Sequence, residues 1–303
     1  MVVDRTHRRT ARRLLALGAV LATALAAAPA PAPATPGPAP AAVTTSAEPA
    51  WASASTATIR PGVQVVTAGQ QCTANFVFHD VGRDSQGREF TREVLLGMAA
   101  HCAGTGGSTA TDGCTTGSRG LGTPVQIDGA SRNGTLFYSA WLSMQARRES
   151  NPDACANNDL ALVRVDPADW SRVNPSMPFW GGPTGLRTTT TSLGTDVFSY
   201  GNSGLRLGLA ALSPKQGTSL GTQGGGWTHV VYTATPGIPG DSGSGSLDAN
   251  GRAFGVTSVI YLAPFTAANG LTDLNRALSY ARTATGRDLR LVRGTEPFRP
   301  LLP

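Results

Sequence analysis

Three short stretches of this 303-residue chain carry side chains that could do chemistry together. Ser242 sits in Pro239-Gly240-Asp241-Ser242-Gly243-Ser244, a serine between two glycines with an aspartate before it. Glycines permit a sharp turn and close backbone approach, so such a serine can stand exposed beside free N–H groups. His101 lies in Met98-Ala99-Ala100-His101-Cys102, just past the apolar run Val94–Met98. Asp159 opens Asp159-Leu160-Ala161-Leu162-Val163, a loop entering an apolar run. Each stretch alone has a bland reading: a turn, a structural histidine, a loop end. A nucleophile, a base and a group that orients the base are what acyl transfer requires, and here they occur in three distinctive contexts. His79 and His229 lie on strand-like runs without companion motifs and read as structural.

The three stretches resemble the A-A-H-C, D-[IL]-A-L and G-D-S-G motifs of the chymotrypsin-like (trypsin-like) serine peptidases, in that family's His, Asp, Ser order. The resemblance covers roughly residues 59–288. It implies an all-β fold of two antiparallel six-stranded β-barrels with a C-terminal helix, the site lying between the barrels. It implies Ser242 as nucleophile, His101 as base and Asp159 as its partner, with the N–H groups of Gly240 and Ser242 facing the oxyanion. Pro236 falls six residues before the nucleophile, where trypsin-type enzymes carry an Asp, so an anionic pocket base is absent. Ser258-Val259-Ile260 resembles the strand that lines the substrate. Ser258 would support Asp159, and Ile260, standing where glycine is usual, would narrow the pocket. Ser244 replaces a usual second glycine. No Ile-Val-Gly-Gly start is present to insert as a new N-terminus, and Ile59-Arg60-Pro61-Gly62 is a poor substitute.

The elements that must position these residues follow from composition and pattern. Charged residues are 15% and there are 37 glycines, which favours many short strands with Gly-rich turns over long helices. Residues 1–26 read as a secretory signal: an Arg-rich start, the run Leu14–Leu21, then Ala24-Leu25-Ala26 before a cleavage point. Arg12-Arg13 admits a twin-arginine signal, and Ala32-Pro33-Ala34 offers a second cleavage point. Residues 27–58, rich in Ala, Pro, Thr and Ser, read as a disordered leader or linker. Residues 59–290 form the expected domain, and 291–303 a C-terminal tail.

Strands are expected at Val63–Val66, Cys72–Phe78, Arg92–Met98, Val125–Ile127, Leu136–Tyr138 and Leu160–Val165. More are expected at Thr195–Tyr200, Leu205–Ala211 and Thr228–Thr235, and in a hairpin about Asp248-Ala249-Asn250-Gly251. Arg147–Asn158 reads as a polar loop. Leu271, Leu274, Leu278 and Ala281 recur at helical spacing, with Gly286 as C-cap.

Most of the +6 formal charge belongs to the signal, whose 26 residues hold five arginines and one aspartate. The remaining balance is too weak for a nucleic-acid partner, and no basic cluster with interleaved aromatics occurs. Four cysteines without a C-x-x-C pair argue against a zinc ribbon or thioredoxin-type site and, in an exported chain, read as two disulfides of three possible connectivities. The resemblance implies Cys72–Cys102, leaving Cys114–Cys155. The expectation is a secreted, extracellular, monomeric serine endopeptidase acting on protein or peptide. It needs no cofactor or metal and has no membrane partner once the signal is removed. A catalytically silent binding module on the same fold and a secreted esterase are the rival readings.

Overall fold

A computed structural model describes residues 48–107, 110–261 and 266–300. The signal at 1–26 and the first part of the expected leader lie outside the described residues. Seven strands and two short helices make the first half: β1 (Gln64–Thr67), β2 (Gln70–Thr73), β3 (Val77–Arg83), β4 (Glu89–Ala99), β5 (Pro124–Ile127), β6 (Gly134–Ser139), α1 (Ala140–Arg147), α2 (Pro152–Asn157) and β7 (Leu160–Arg164). All pair antiparallel. β2 and β3 act as one bent strand. β2 pairs with β1, and after the bend Asn75 N–H donates to Gly97 O and Gly97 N–H to Phe76 O, carrying the ladder to β4. The circuit β1, β2/β3, β4, β7, β6, β5 and back to β1 is a closed six-stranded barrel, which removes the exposed edges a flat sheet would leave.

The second half holds β8 (Gly185–Leu186), β9 (Leu193–Tyr200), β10 (Pro214–Gln223), β11 (Thr228–Thr233), β12 (Gly245–Leu247), β13 (Arg252–Ile260) and β14 (Asn269–Asp273). The order β12-β9-β10-β11-β14-β13 closes through β12–β13 into a second six-stranded antiparallel barrel, with β8 added parallel to β13. Helix α3 (Leu274–Thr285) follows. The Asp273 side chain accepts the Arg276 N–H at its start, and Gly286 ends it in the left-handed conformation. Its Leu274, Ala277, Leu278 and Ala281 are buried. Strand β15 (Asp288–Leu291) then returns to pair with β3. Two such barrels and a C-terminal helix are the chymotrypsin-like arrangement implied by the sequence motifs.

Several elements differ from the sequence expectation. Leu205–Ala211 is not a strand. Gly208 takes a left-handed φ and so does Leu207, and the segment folds into short 3-10 turns at Gly204–Arg206 and Ala210–Leu212. Leu205, Leu207, Leu209 and Leu212 are left exposed. The polar stretch before Asp159 contains α2, started by Asn151 accepting from the N–H groups of Asp153 and Ala154 with Pro152 in the first turn. Leu271 belongs to β14, not to the helix that follows. Residues 48–58 and 292–300 pack more than their composition suggests. Trp51 stacks on His79 at 5.3 Å, Ala52 N–H donates to Val173 O, Val292 is buried, and Arg299 N–H donates to Trp180 O.

Candidate active site

A cleft of about 710 Å³ is lined by residues of both barrels, among them Cys72, His101, Gly240, Ser242, Ser258 and Ile260. His101 stands on a one-turn 3-10 helix, Ala100–Ala103, at the end of β4. The Cys72–Cys102 disulfide ties that turn to β2, and Ala100 N–H donates to Asp159 O. Asp159 enters the site directly ahead of β7, whose pairing with β4 sets Ala99 opposite Leu160. Adjacent strands thus bring histidine and aspartate together although they are 58 residues apart.

The geometry around Asp159 is dense. Its Oδ1 accepts the His101 backbone N–H at 2.8 Å. Its Oδ2 accepts from His101 Nδ1 at 2.6 Å and from Ser258 Oγ at 2.5 Å. A carboxylate can only accept, so Nδ1 carries the ring proton and Nε2 presents a lone pair to the cleft. Burial disfavours the imidazolium, but the Asp159 charge and hydrogen bond outweigh it together, and the His101 pKa stands above its ordinary value.

Ser242 is half-buried in the same cleft. Its carbonyl accepts Thr73 N–H at 2.8 Å, pinning the turn to the first barrel. The following Gly243 has φ +88°, and a Cβ there would lie 2.5 Å from Thr73 O, so this close approach excludes any side chain. Ser242 Oγ makes no hydrogen bond to the His101 ring, although both side chains line the same cleft. Among the described residues, the N–H groups of Gly240 and Ser242 have no protein acceptor, which leaves both for an external oxygen. Ser244, in place of a glycine, donates to Thr257 Oγ1 and is accommodated in the second barrel.

Asp241, beside Ser242, is buried and held by two cations. Arg206 Nη2 lies 2.6 Å from its Oδ2 and Lys215 Nζ 3.1 Å. Lys215 also donates to the carbonyls of Thr235 and Pro236. Burial pushes its ammonium below the ordinary lysine range; Asp241 opposes that shift and Arg206 adds to it. Sequence reasoning missed both cations. Arg206 is hidden in a leucine-rich run, but Lys215 carried a signal: it is the only lysine in the chain.

Of the residues expected at the substrate pocket, Ser258 and Ile260 line the cleft, whereas Pro236 is exposed and does not. His79 is stacked on Trp51, and His229 is fully buried between Thr191 and Asp273. The second disulfide, Cys114–Cys155, ties the loop after His101 to α2. His101, Cys72 and Cys102 cluster within 4.8 Å, but both sulfurs are consumed in the disulfide and do not form a metal-ligand set. No helix among the described residues is long and apolar enough to cross a membrane.

No family model and no curated protein matches the chain. Solved structures do. Protease A of Thermobifida fusca is 19% identical, with a TM-score of 0.46 over 78% of this chain and 99% of that one. A Nocardiopsis protease is 19% identical, with a TM-score of 0.43 over 77% and 98%. A Cellulomonas bogoriensis chymotrypsin is 20% identical, with a TM-score of 0.41 over 77% and 98%. The chain has the chymotrypsin-like serine peptidase fold, which the strand pairing described above establishes on its own.

Proposed function

We propose that the chain is a secreted serine endopeptidase that hydrolyses peptide bonds through an acyl-enzyme intermediate. The observation that carries this reading is the Asp159 carboxylate, which accepts from His101 Nδ1 and from Ser258 Oγ and so turns Nε2 of His101 toward the cleft that Ser242 also lines. Ser242 Oγ attacks the scissile carbonyl carbon while His101 Nε2 takes its proton. Asp159 stabilises the imidazolium that forms. The tetrahedral oxyanion receives the N–H groups of Gly240 and Ser242, a donor of this kind being worth about 3 kcal/mol in the barrier. His101 then protonates the leaving amine, and a water molecule, deprotonated by the same nitrogen, releases the acyl group. No cofactor enters these steps. Two disulfides suit an oxidising, extracellular setting, and the enzyme is expected to act as a monomer.

On the acyl side of the cut bond we propose a preference for small or medium apolar side chains. Pro236 supplies no carboxylate. Two charges meet that segment: Lys215, bonded to the Thr235 and Pro236 carbonyls, and Asp241, which two cations already hold.

The test is labelling with a fluorophosphonate probe alongside casein digestion. Wild type should be labelled and digest casein, and Ser242→Ala should do neither while remaining folded. Hydrolysis by Ser242→Ala at near the wild-type rate would remove the triad assignment. Labelling with ester turnover but no peptide cleavage would move the reading to an esterase.

A further inference from the structure

The peptide unit between Pro239 and Gly240 decides whether one oxyanion donor exists. In a trans peptide the C=O and N–H point in opposite directions, so the Gly240 N–H faces the cleft only while the Pro239 carbonyl faces away from it. Gly240 has φ +96°, and without a Cβ it tolerates either orientation of that peptide, so glycine alone does not choose. In the unproductive orientation the Pro239 carbonyl would fill the oxyanion position with a partial negative charge.

Ser203 makes the choice. Its Oγ donates to Pro239 O at 2.5 Å and its backbone N–H donates to Asp241 Oδ1 at 3.1 Å, and Ser203 is not among the residues that line the cleft. It is 2% exposed, so water does not compete for the contact. Its loop is fixed in turn by Gln71, whose Oε1 accepts Gly204 N–H and whose Nε2 donates to Asn202 O and Gly240 O. The next peptide is pinned independently, since Thr73 Oγ1 also donates to Gly240 O, at 2.7 Å.

We propose that Ser203 is a positioning residue for the oxyanion site: its hydroxyl holds the Pro239 carbonyl out of the cleft and thereby keeps the Gly240 N–H turned to the reacting carbonyl. The proposal rests on the serine-peptidase reading above and deepens it. Ser203 itself touches no substrate atom; it acts through a peptide plane whose two orientations differ by the sign of the charge presented to the transition state.

The experiment is steady-state kinetics on a peptide amide, with active-site titration, for wild type, Ser203→Ala and Ser203→Thr, together with inhibition by a peptide aldehyde. The aldehyde adduct puts an oxyanion in the same place as the transition state. Ser203→Ala should lose about tenfold or more in kcat with KM within roughly threefold, because the donor serves the transition state more than the bound substrate. Aldehyde affinity should fall by the same factor as kcat/KM. Ser203→Thr, which keeps the hydroxyl, should stay within roughly threefold of wild type. A smaller loss in Ser203→Ala, a loss carried by KM, or an equal loss in both variants overturns the proposal, the last by showing that packing alone is at stake. An inactive wild type, or activity that survives Ser242→Ala, would instead remove the underlying reading.

Discussion

Lys215 Nζ lies 3.1 Å from Asp241 Oδ2, with side-chain exposures of 4% and 1%. Asp241 is the residue directly before the proposed nucleophile, and its second cation, Arg206, is equally internal to the chain. The carboxylate beside Ser242 is therefore neutralised by side chains already present in the second barrel, and no new N-terminus is required to do it. Ile59, the nearest match to an inserting start, instead runs along Arg172, donating its N–H to that residue's carbonyl.

Breaking this cluster should be costly. Lys215→Met leaves Asp241 with one cation and strips a donor from the Thr235 and Pro236 carbonyls, so unfolding free energy should drop by about 3 kcal/mol, the scale of removing one partner from a buried pair. Urea denaturation measures it. Acetylating the chain's α-amine, by contrast, should change kcat/KM by less than about twofold. A large loss on acetylation would show that a free terminus still serves Asp241.

The raised pKa of His101 sets the pH profile. The base must be neutral, so a higher pKa moves the gain of activity to higher pH. kcat/KM should rise through an apparent pKa above the ordinary histidine value and be low at pH ~5. Asp159→Asn removes the charge that raises it. That variant should shift the limb to lower pH and lose about 10⁴-fold in kcat, the scale known for triads of this kind. Stopped assays across the pH range read both effects, and a profile flat from pH 5 to 8 would count against His101 as base.

The Cys72–Cys102 bridge closes a segment of 30 residues that carries the bend of the first barrel and ends beside His101. Replacing both cysteines with alanine should cost about 3–4 kcal/mol of stability through the freed unfolded chain. Because Gln71 and His101 each adjoin a bridged cysteine, kcat should also fall. Denaturant midpoints and kinetics on the double variant separate the two losses.

For specificity, peptide amides ending in Ala, Leu, Phe and Arg should be ranked by kcat/KM. An apolar residue should win over Arg by at least tenfold, about 1.4 kcal/mol, because a guanidinium finds no carboxylate in the Thr233–Ser242 segment except the already paired Asp241. An Arg substrate ranking first would sink the proposed preference.

The parts of the site that were legible in the sequence are those written in contiguous residues. Ala-Ala-His-Cys, Asp-Leu-Ala-Leu and Gly-Asp-Ser-Gly each encode a strand end or turn locally, and the flanking apolar runs announce β4 and β7. The supports were not legible, because they are made across the fold: Gln71 meets Gly240 across 169 positions, and Ser203 meets Pro239 across 36. Strand β10 escaped notice for a related reason. Two of its inward positions, Lys215 and Ser219, are polar, buried against the Asp241 cluster and Thr191, so the apolar alternation that marks a strand is missing. Helix α2 was readable in principle, since Asn151-Pro152-Asp153 is a capping sequence, but its polar composition reads as a loop.

The burial of Lys215 also makes the folded protein nearly inert to amine chemistry. Of 25 lysine and arginine side chains it is the single primary amine, and it is sealed inside the second barrel with all three donors engaged. An amine-reactive dye therefore finds no exposed lysine while the chain is folded, and gains one only when that barrel opens. Tagging of Lys215 is a built-in gauge of how often the barrel behind Ser242 comes apart.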